Sequence, residues 1–201
     1  MSEPLTREHV LQAFLNQHAD EVQDNPAMQV EVHPYLGYIN LRGNAKDSEF
    51  LVATNTILGQ DLPLLANTLS TEHNIFSLGP DEWLIVTARD KEKVIASDLG
   101  DRLAQQFCAV TDLTGGQIML RLSGAKARDV LARGCTLDFH PRTFKPGQCA
   151  QTGLAKATIL IGMTNDEPSY DIIVRRSFAE YVALWLHHAA NEYGVKFICT
   201  K

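Results

Sequence analysis

Seven histidines and four cysteines are the residues of this 201-residue chain whose types could hold a metal or act as nucleophiles. Zinc sites usually draw their ligands from close pairs. Cys108, Cys135, Cys149 and Cys199 lie far apart and include no C-x-x-C pair, so each is expected to be a reduced, half-buried core thiol. His187 and His188 point about 100° apart on a helix and cannot easily share one ion. His9, His18, His33 and His73 fall in segments expected at the surface. His140, between Phe139 and Pro141, stands apart; its ordinary role would be a ring packed or hydrogen-bonded in a loop.

The remaining candidates are equally sparse. Gly115-Gly116 has neither a G-x-G-x-x-G nor a G-x-x-x-x-G-K context, so it reads as a hairpin turn and not as a phosphate cradle. Ser123 sits in S-G-A without the G-x-S-x-G frame of a nucleophile elbow. Asp81-Glu82 and Asp138 are acids near turns with nothing to pair them for acid–base work. Arg175-Arg176 could grip a carboxylate or phosphate, yet such pairs mostly solvate a strand end. No catalytic, cofactor-binding or metal-binding residue is assigned to this chain.

A chain of 201 residues suffices for one substantial domain with a sizeable core. With 45% hydrophobic and 21% charged residues it is expected to be globular. Its 24 acids and 18 bases are intermixed and leave a net charge of −6, which lacks the basic stripe that nucleic acid requires. No apolar run approaches the ~20 residues of a membrane span. The N-terminal sequence lacks the order of a signal peptide, and the chain is expected in the cytoplasm.

The elements are organised around residues 111–141. A short strand, a turn at 114–116 and a second strand with Ile118, Leu120 and Leu122 on one face form a predicted hairpin. Ser123 is the expected cap of a helix closed by left-handed Gly134. Upstream, residues 6–20 read as an amphipathic helix capped by Thr6, with Val10, Leu11, Phe14 and Leu15 on its apolar stripe. It packs on its own domain or reaches a partner. Residues 28–44 read as a strand pair or a bent strand, and Asp47 or Ser48 caps a helix stopped by Gly59, with Phe50, Leu51, Thr54, Ile57 and Leu58 facing inward. Strands at 75–78 and 83–87 flank a turn at Pro80. Asp90 is the expected cap of the longest helix, with Ile95, Leu99, Leu103 and Phe107 inward at i,i+4 steps.

After a turn at Pro146-Gly147, residues 148–163 read as one long β run, followed by a hairpin to 170–174. Ser177 and Glu180 form a predicted capping box for a last helix with Phe178, Tyr181, Val182, Trp185 and Ala189 inward. A final edge strand occupies 195–200. Hairpins alternating with single helices imply an α+β fold with antiparallel or mixed sheets. The expected organisation is an N-terminal helical arm over 1–27 and a single α+β domain over 28–201.

The ordered stretches GYINLRG (37–43), LGPDEWL (78–84), LSGAKARDVL (122–131), GCTLDFHP (134–141) and RSFAEY (176–181) resemble the gamma subunit of heterotetrameric sarcosine oxidase. The resemblance covers about 36–194. That family is similar in fold to the folate-binding domain of the glycine-cleavage aminomethyltransferase. The resemblance implies an assembly that oxidatively demethylates sarcosine to glycine with O2, giving peroxide and either formaldehyde or 5,10-methylenetetrahydrofolate. It also implies that FAD, FMN, NAD, folate and zinc belong to the alpha, beta and delta subunits. The gamma subunit would be structural, and pack chiefly on the folate-binding part of alpha. The alternative is a stand-alone folate-binding aminomethyltransferase-like protein, but that enzyme's catalytic aspartate and folate-gripping motifs find no match here. Leu137, Phe139, His140, Pro141 and Phe144 follow a helix stop and match no period, so they are the expected partner interface. The rival reading has them plug the end of a sheet.

Overall fold

Strand β1 (Met28–His33) buries Met28, Val30 and Val32 on one face and turns Gln29, Glu31 and His33 to the other. This alternation recurs throughout and builds two sheets that each bury both faces. The computed structural model describes residues 8–19, 26–63, 68–70 (backbone only) and 73–200. The remaining strands are β2 (Gly37–Arg42), β3 (Thr68–Ser70), β4 (Asn74–Gly79), β5 (Glu82–Thr87), β6 (Ala109–Asp112), β7 (Gln117–Ser123), β8 (Cys149–Leu154), β9 (Ala157–Asn165), β10 (Ser169–Arg175) and β11 (Val195–Cys199). One sheet has the order β11-β1-β7-β10-β9-β8, and the other β3-β4-β5-β2-β6. Every pairing is antiparallel except β1 with β11, so the fold is α+β with mixed sheets.

Helices α1 (Gln12–Gln17), α4 (Ala127–Leu131) and α5 (Ala179–Ala190) cover the outer face of the six-stranded sheet. Helices α2 (Ser48–Leu58) and α3 (Glu92–Arg102) cover the five-stranded one. Between the sheets lies a third apolar layer. Tyr38, Phe76, Leu84 and Val86 meet Met119, Cys149, Leu160 and Ile173 there. Leu11 and Phe14 are buried in the core beneath α5, so the N-terminal segment packs on its own chain. Its predicted cap Thr6 lies outside the described residues.

Several local expectations are corrected. β1 and β2 do not pair, nor do β6 and β7. Each couple divides between the two sheets, because alternation specifies a buried face but not which sheet receives it. The two crossovers are laced together where Leu113 N donates to Tyr38 O (2.8 Å) and Tyr38 N donates to Thr114 Oγ1 (3.0 Å). The long run at 148–163 folds back as β8 and β9 through Ala155, which takes φ 50°. Asp47 caps α2 as expected, its Oδ1 accepting from Glu49 N (2.9 Å) and Phe50 N (3.4 Å), and Gly59 closes it at φ 67°.

Asp90, Ser123 and Ser177 cap nothing. α3, α4 and α5 begin later, at Glu92, Ala127 and Ala179, without a side-chain cap. α3 stops at Arg102 and is shorter than α5, so Phe107 leaves the stripe and is fully exposed. Leu51, Phe178 and Tyr181 are likewise exposed, and α5 buries Ala179, Val182, Ala183, Leu186 and Ala190 instead. Starting later along the chain changes which residues face the sheet. Gly134 is not left-handed; it makes room for Trp185, whose Cζ2 would lie 2.3 Å from a Cβ there.

Candidate functional site

Phe139 and Phe144, expected at a partner interface, are only 4% and 5% exposed and belong to the core of this chain. Their rings meet Tyr170 at 5.6 and 6.4 Å and each other at 5.9 Å. The apolar part of that reading is therefore corrected: the loop plugs the core beside the six-stranded sheet, because burying two phenyl rings outweighs the irregularity of the segment carrying them. Leu137 is half-buried against the same core, while His140 and Pro141 are exposed. Asp138 accepts from His140 N and from the Thr143 hydroxyl, both at 2.9 Å, and these bonds, the backbone one first, hold its carboxyl below the usual range. His140 Nδ1 accepts from Arg142 N at 3.2 Å. These groups build a turn.

Other candidates are also placed locally. Glu82 is gripped by Arg42 (2.7 Å) and Asn40 (2.9 Å), and the Arg42 bond is the main cause of its lowered pKa. Arg175 and Arg176 are exposed at the end of β10. His9 and His73, expected at the surface, are buried, and Cys199 is exposed rather than half-buried. Among the described residues no three His, Cys, Asp or Glu side chains converge as a metal site needs. Gly115-Gly116 forms a crossover between sheets and does not open a helix.

The structure instead assembles a charged row that motif reading missed. Cross-strand register aligns Glu31 of β1 with Arg121 of β7, and Arg121 with Asp171 of β10. All three project from the sheet face that looks toward the other sheet. Arg121 donates from Nε to Asp171 Oδ1 at 2.6 Å and from Nη2 to Oδ2 at 3.0 Å. Asp171 is 1% exposed. The bond to Asp171 is the main cause raising the Arg121 pKa. Beside them, Glu31 takes a hydrogen bond from Gln29 Nε2 (2.8 Å) and lies 3.6 Å from His33 Nε2. Burial, then the charge of Arg121, lowers the His33 pKa against the pull of Asp171 and Glu31. The available signal was a single charge within each apolar strand run, Arg121 in IMLRL and Asp171 in YDIIV.

This row floors a cleft of about 930 Å³ whose walls include Asn74, Ser123, Thr164, Ser169 and Glu167. Its chemistry is restricted by the bidentate pair. Both oxygens of Asp171 already accept from a guanidinium, which leaves the carboxylate occupied, a poor arrangement for a general base. The pair fixes the register of β7 against β10. The geometry is that of a structural ion pair beneath a polar cleft.

The sarcosine oxidase gamma subunit family model matches residues 42–192. The sarcosine oxidase subunit gamma of Corynebacterium sp. (strain U-96) is 34% identical over 117 residues, a match spanning 58% of this chain and 56% of that relative. One chain of the heterotetrameric sarcosine oxidase from Corynebacterium sp. U-96, solved with pyrrole 2-carboxylate, superposes with a TM-score of 0.83 at 26% identity, over 96% of this chain and 98% of that one. Glycine cleavage system aminomethyltransferase T from Bartonella henselae shares the fold, with a TM-score of 0.63 at 17% identity over 86% of this chain and 48% of that one. With the family model matched across most of its length, the chain belongs to the sarcosine oxidase gamma subunit family.

Proposed function

We propose that this chain is a non-catalytic, structural subunit of a heterotetrameric sarcosine oxidase. The observation that carries this reading is the end-to-end match to one chain of such a heterotetramer, over 96% of one and 98% of the other. The closed Arg121–Asp171 pair supports it, since the most buried acid of the cleft is committed to holding strands. On this reading the assembly converts sarcosine, water and O2 to glycine, formaldehyde and peroxide, or passes the one-carbon unit to tetrahydrofolate. FAD, FMN, NAD, folate and zinc would be held by alpha, beta and delta subunits in the cytoplasm, and this chain would pack chiefly on alpha. The stand-alone folate-binding alternative has only a shared fold behind it, and fold does not carry function.

Co-expression of the tagged chain with its partner subunits tests the proposal. The chain should elute in a stoichiometric, flavin-coloured complex that turns over sarcosine, and should be colourless when purified apart from it. Partner subunits that assemble and turn over sarcosine at full rate without this chain would contradict it.

A further inference from the structure

The five-stranded sheet ends at β6, and among the described residues no strand lies beyond it. Antiparallel ladders alternate between hydrogen-bonded and non-hydrogen-bonded pairs. Leu113 N donates to Tyr38 O at 2.8 Å, in register with the β2–β6 ladder, so Ala109 and Thr111 also bond toward β2. Val110 and Asp112 therefore turn their N–H and C=O groups to the open side, where they meet no partner among the described residues.

An open edge is a template for another strand, and chains guard it with lysine, proline, a bulge or a covering segment. β11 carries the exposed Lys196, and β8 is bridged to Cys135 through Leu154. β6 reads AVTD, pairs with β2 without a bulge, and leaves Ala109, Thr111 and Asp112 exposed. Apolar surface continues from it. Phe107, two residues before the strand, is fully exposed, and Val52 of α2 is 62% exposed. Gln106 joins the two, lining one groove with Val52 and donating to Glu49 of α2 at 3.1 Å.

At the Ala109 end of the edge lies a second groove of about 610 Å³, lined by Gly43, Phe50, Phe107 and Ala109. Its charged lining is Arg42, Asp47 and Asp81. Arg42 is held by Glu82 at 2.7 Å, whereas the exposed Asp81 side chain makes no hydrogen bond or close ion pair among the described residues. The balance of the groove is acidic. Its complement is an extended backbone that carries an apolar side chain and a cation. A second copy of this edge does not fit, since residues 105–115 hold no lysine or arginine and would bring another Asp112.

We propose that the open edge of β6 pairs with an extended segment of a partner subunit. An apolar side chain of that segment enters the groove beside Phe107, and its lysine or arginine meets Asp47 and Asp81. The inference rests on the reading of this chain as one subunit of a heterotetramer.

Hydrogen exchange of the co-expressed complex and of the free full chain tests it. Assembly should slow exchange at the Val110 and Asp112 amides about tenfold or more, while Thr111, already bonded to β2, changes less. Phe107→Glu and Asp81→Lys, both at exposed positions, should each weaken assembly about tenfold or more, and the parent's affinity should fall as salt rises. Assembly that leaves Val110 and Asp112 unprotected, or that both variants keep at the parent's affinity, would overturn this docking surface and leave the subunit reading intact. A parent chain that joins no complex would overturn the subunit reading and this proposal with it. Protection of both amides in the free chain, rising with its concentration, would assign the edge to a second copy and overturn the proposal as well.

Discussion

Arg121 and Asp171 face each other across β7 and β10 with both carboxylate oxygens engaged, at 2.6 and 3.0 Å, and Glu31 stands in register on the other side of Arg121. The row crosses three adjacent strands on the face turned toward the second sheet. Pair and register are one device, since a slip by one residue would carry Arg121 into the apolar layer under α5.

Asp171→Ala should therefore destabilise the chain by about 2–3 kcal/mol, less than for a fully buried pair because Arg121 keeps about a third of its side chain in water. The double variant Asp171→Leu with Arg121→Met should lie within about 1.5 kcal/mol of the parent, since no unpaired charge is left behind. Urea denaturation of the parent, the single variants and the double variant measures both.

Phe139→Ala and Phe144→Ala should each cost about 3–5 kcal/mol of folding stability, the range for emptying a buried aromatic site. Thermal or urea unfolding checks this. A loss below about 1 kcal/mol would mean that these rings face outward after all.

The charged row also sets a pH response. His33 has a pKa below its ordinary 6.5, first from burial and then from Arg121, and burial lowers that of His9 too. The unfolded chain consequently takes up these protons more readily than the folded chain. Stability falls as pH drops through about 6.5 toward the folded values, and this contribution levels off below them. His33→Gln should flatten that slope in urea midpoints measured between about pH 7 and pH 5. An unchanged slope would remove His33 from the account.

Two glycines should respond with opposite signs. Gly100 lies inside α3 with no atom within 4 Å of the place a methyl would take, so Gly100→Ala should stabilise by about 0.5–1 kcal/mol. Gly134→Ala would thrust a methyl against Trp185 and should cost about 1–3 kcal/mol. Melting temperatures of both variants decide the matter.

The fold class and most strands are legible in the sequence, because period-2 alternation is a local signal. So is α2, where Asp47 and Gly59 act within their own turn. The division of β1 from β2 and of β6 from β7 between sheets is not, since it depends on how distant faces fit. Phe107 illustrates the same limit: perfect spacing after Leu103 counts for nothing once the helix has stopped at Arg102. The Arg121–Asp171 pair was hidden for a related reason. Its members are fifty residues apart and meet only through register, although each was marked by a lone charge in an apolar run.

On the proposed function, this chain contributes structure and not chemistry to a sarcosine oxidase. The most direct test is sarcosine turnover per intact complex after truncating Glu31, Asp138, His140 and Arg175 to alanine one at a time. Each variant should stay within about threefold of the parent, which is only ~0.65 kcal/mol of barrier. A loss of about a hundredfold in any one of them, with assembly and flavin content unchanged, would show that this chain supplies a catalytic group.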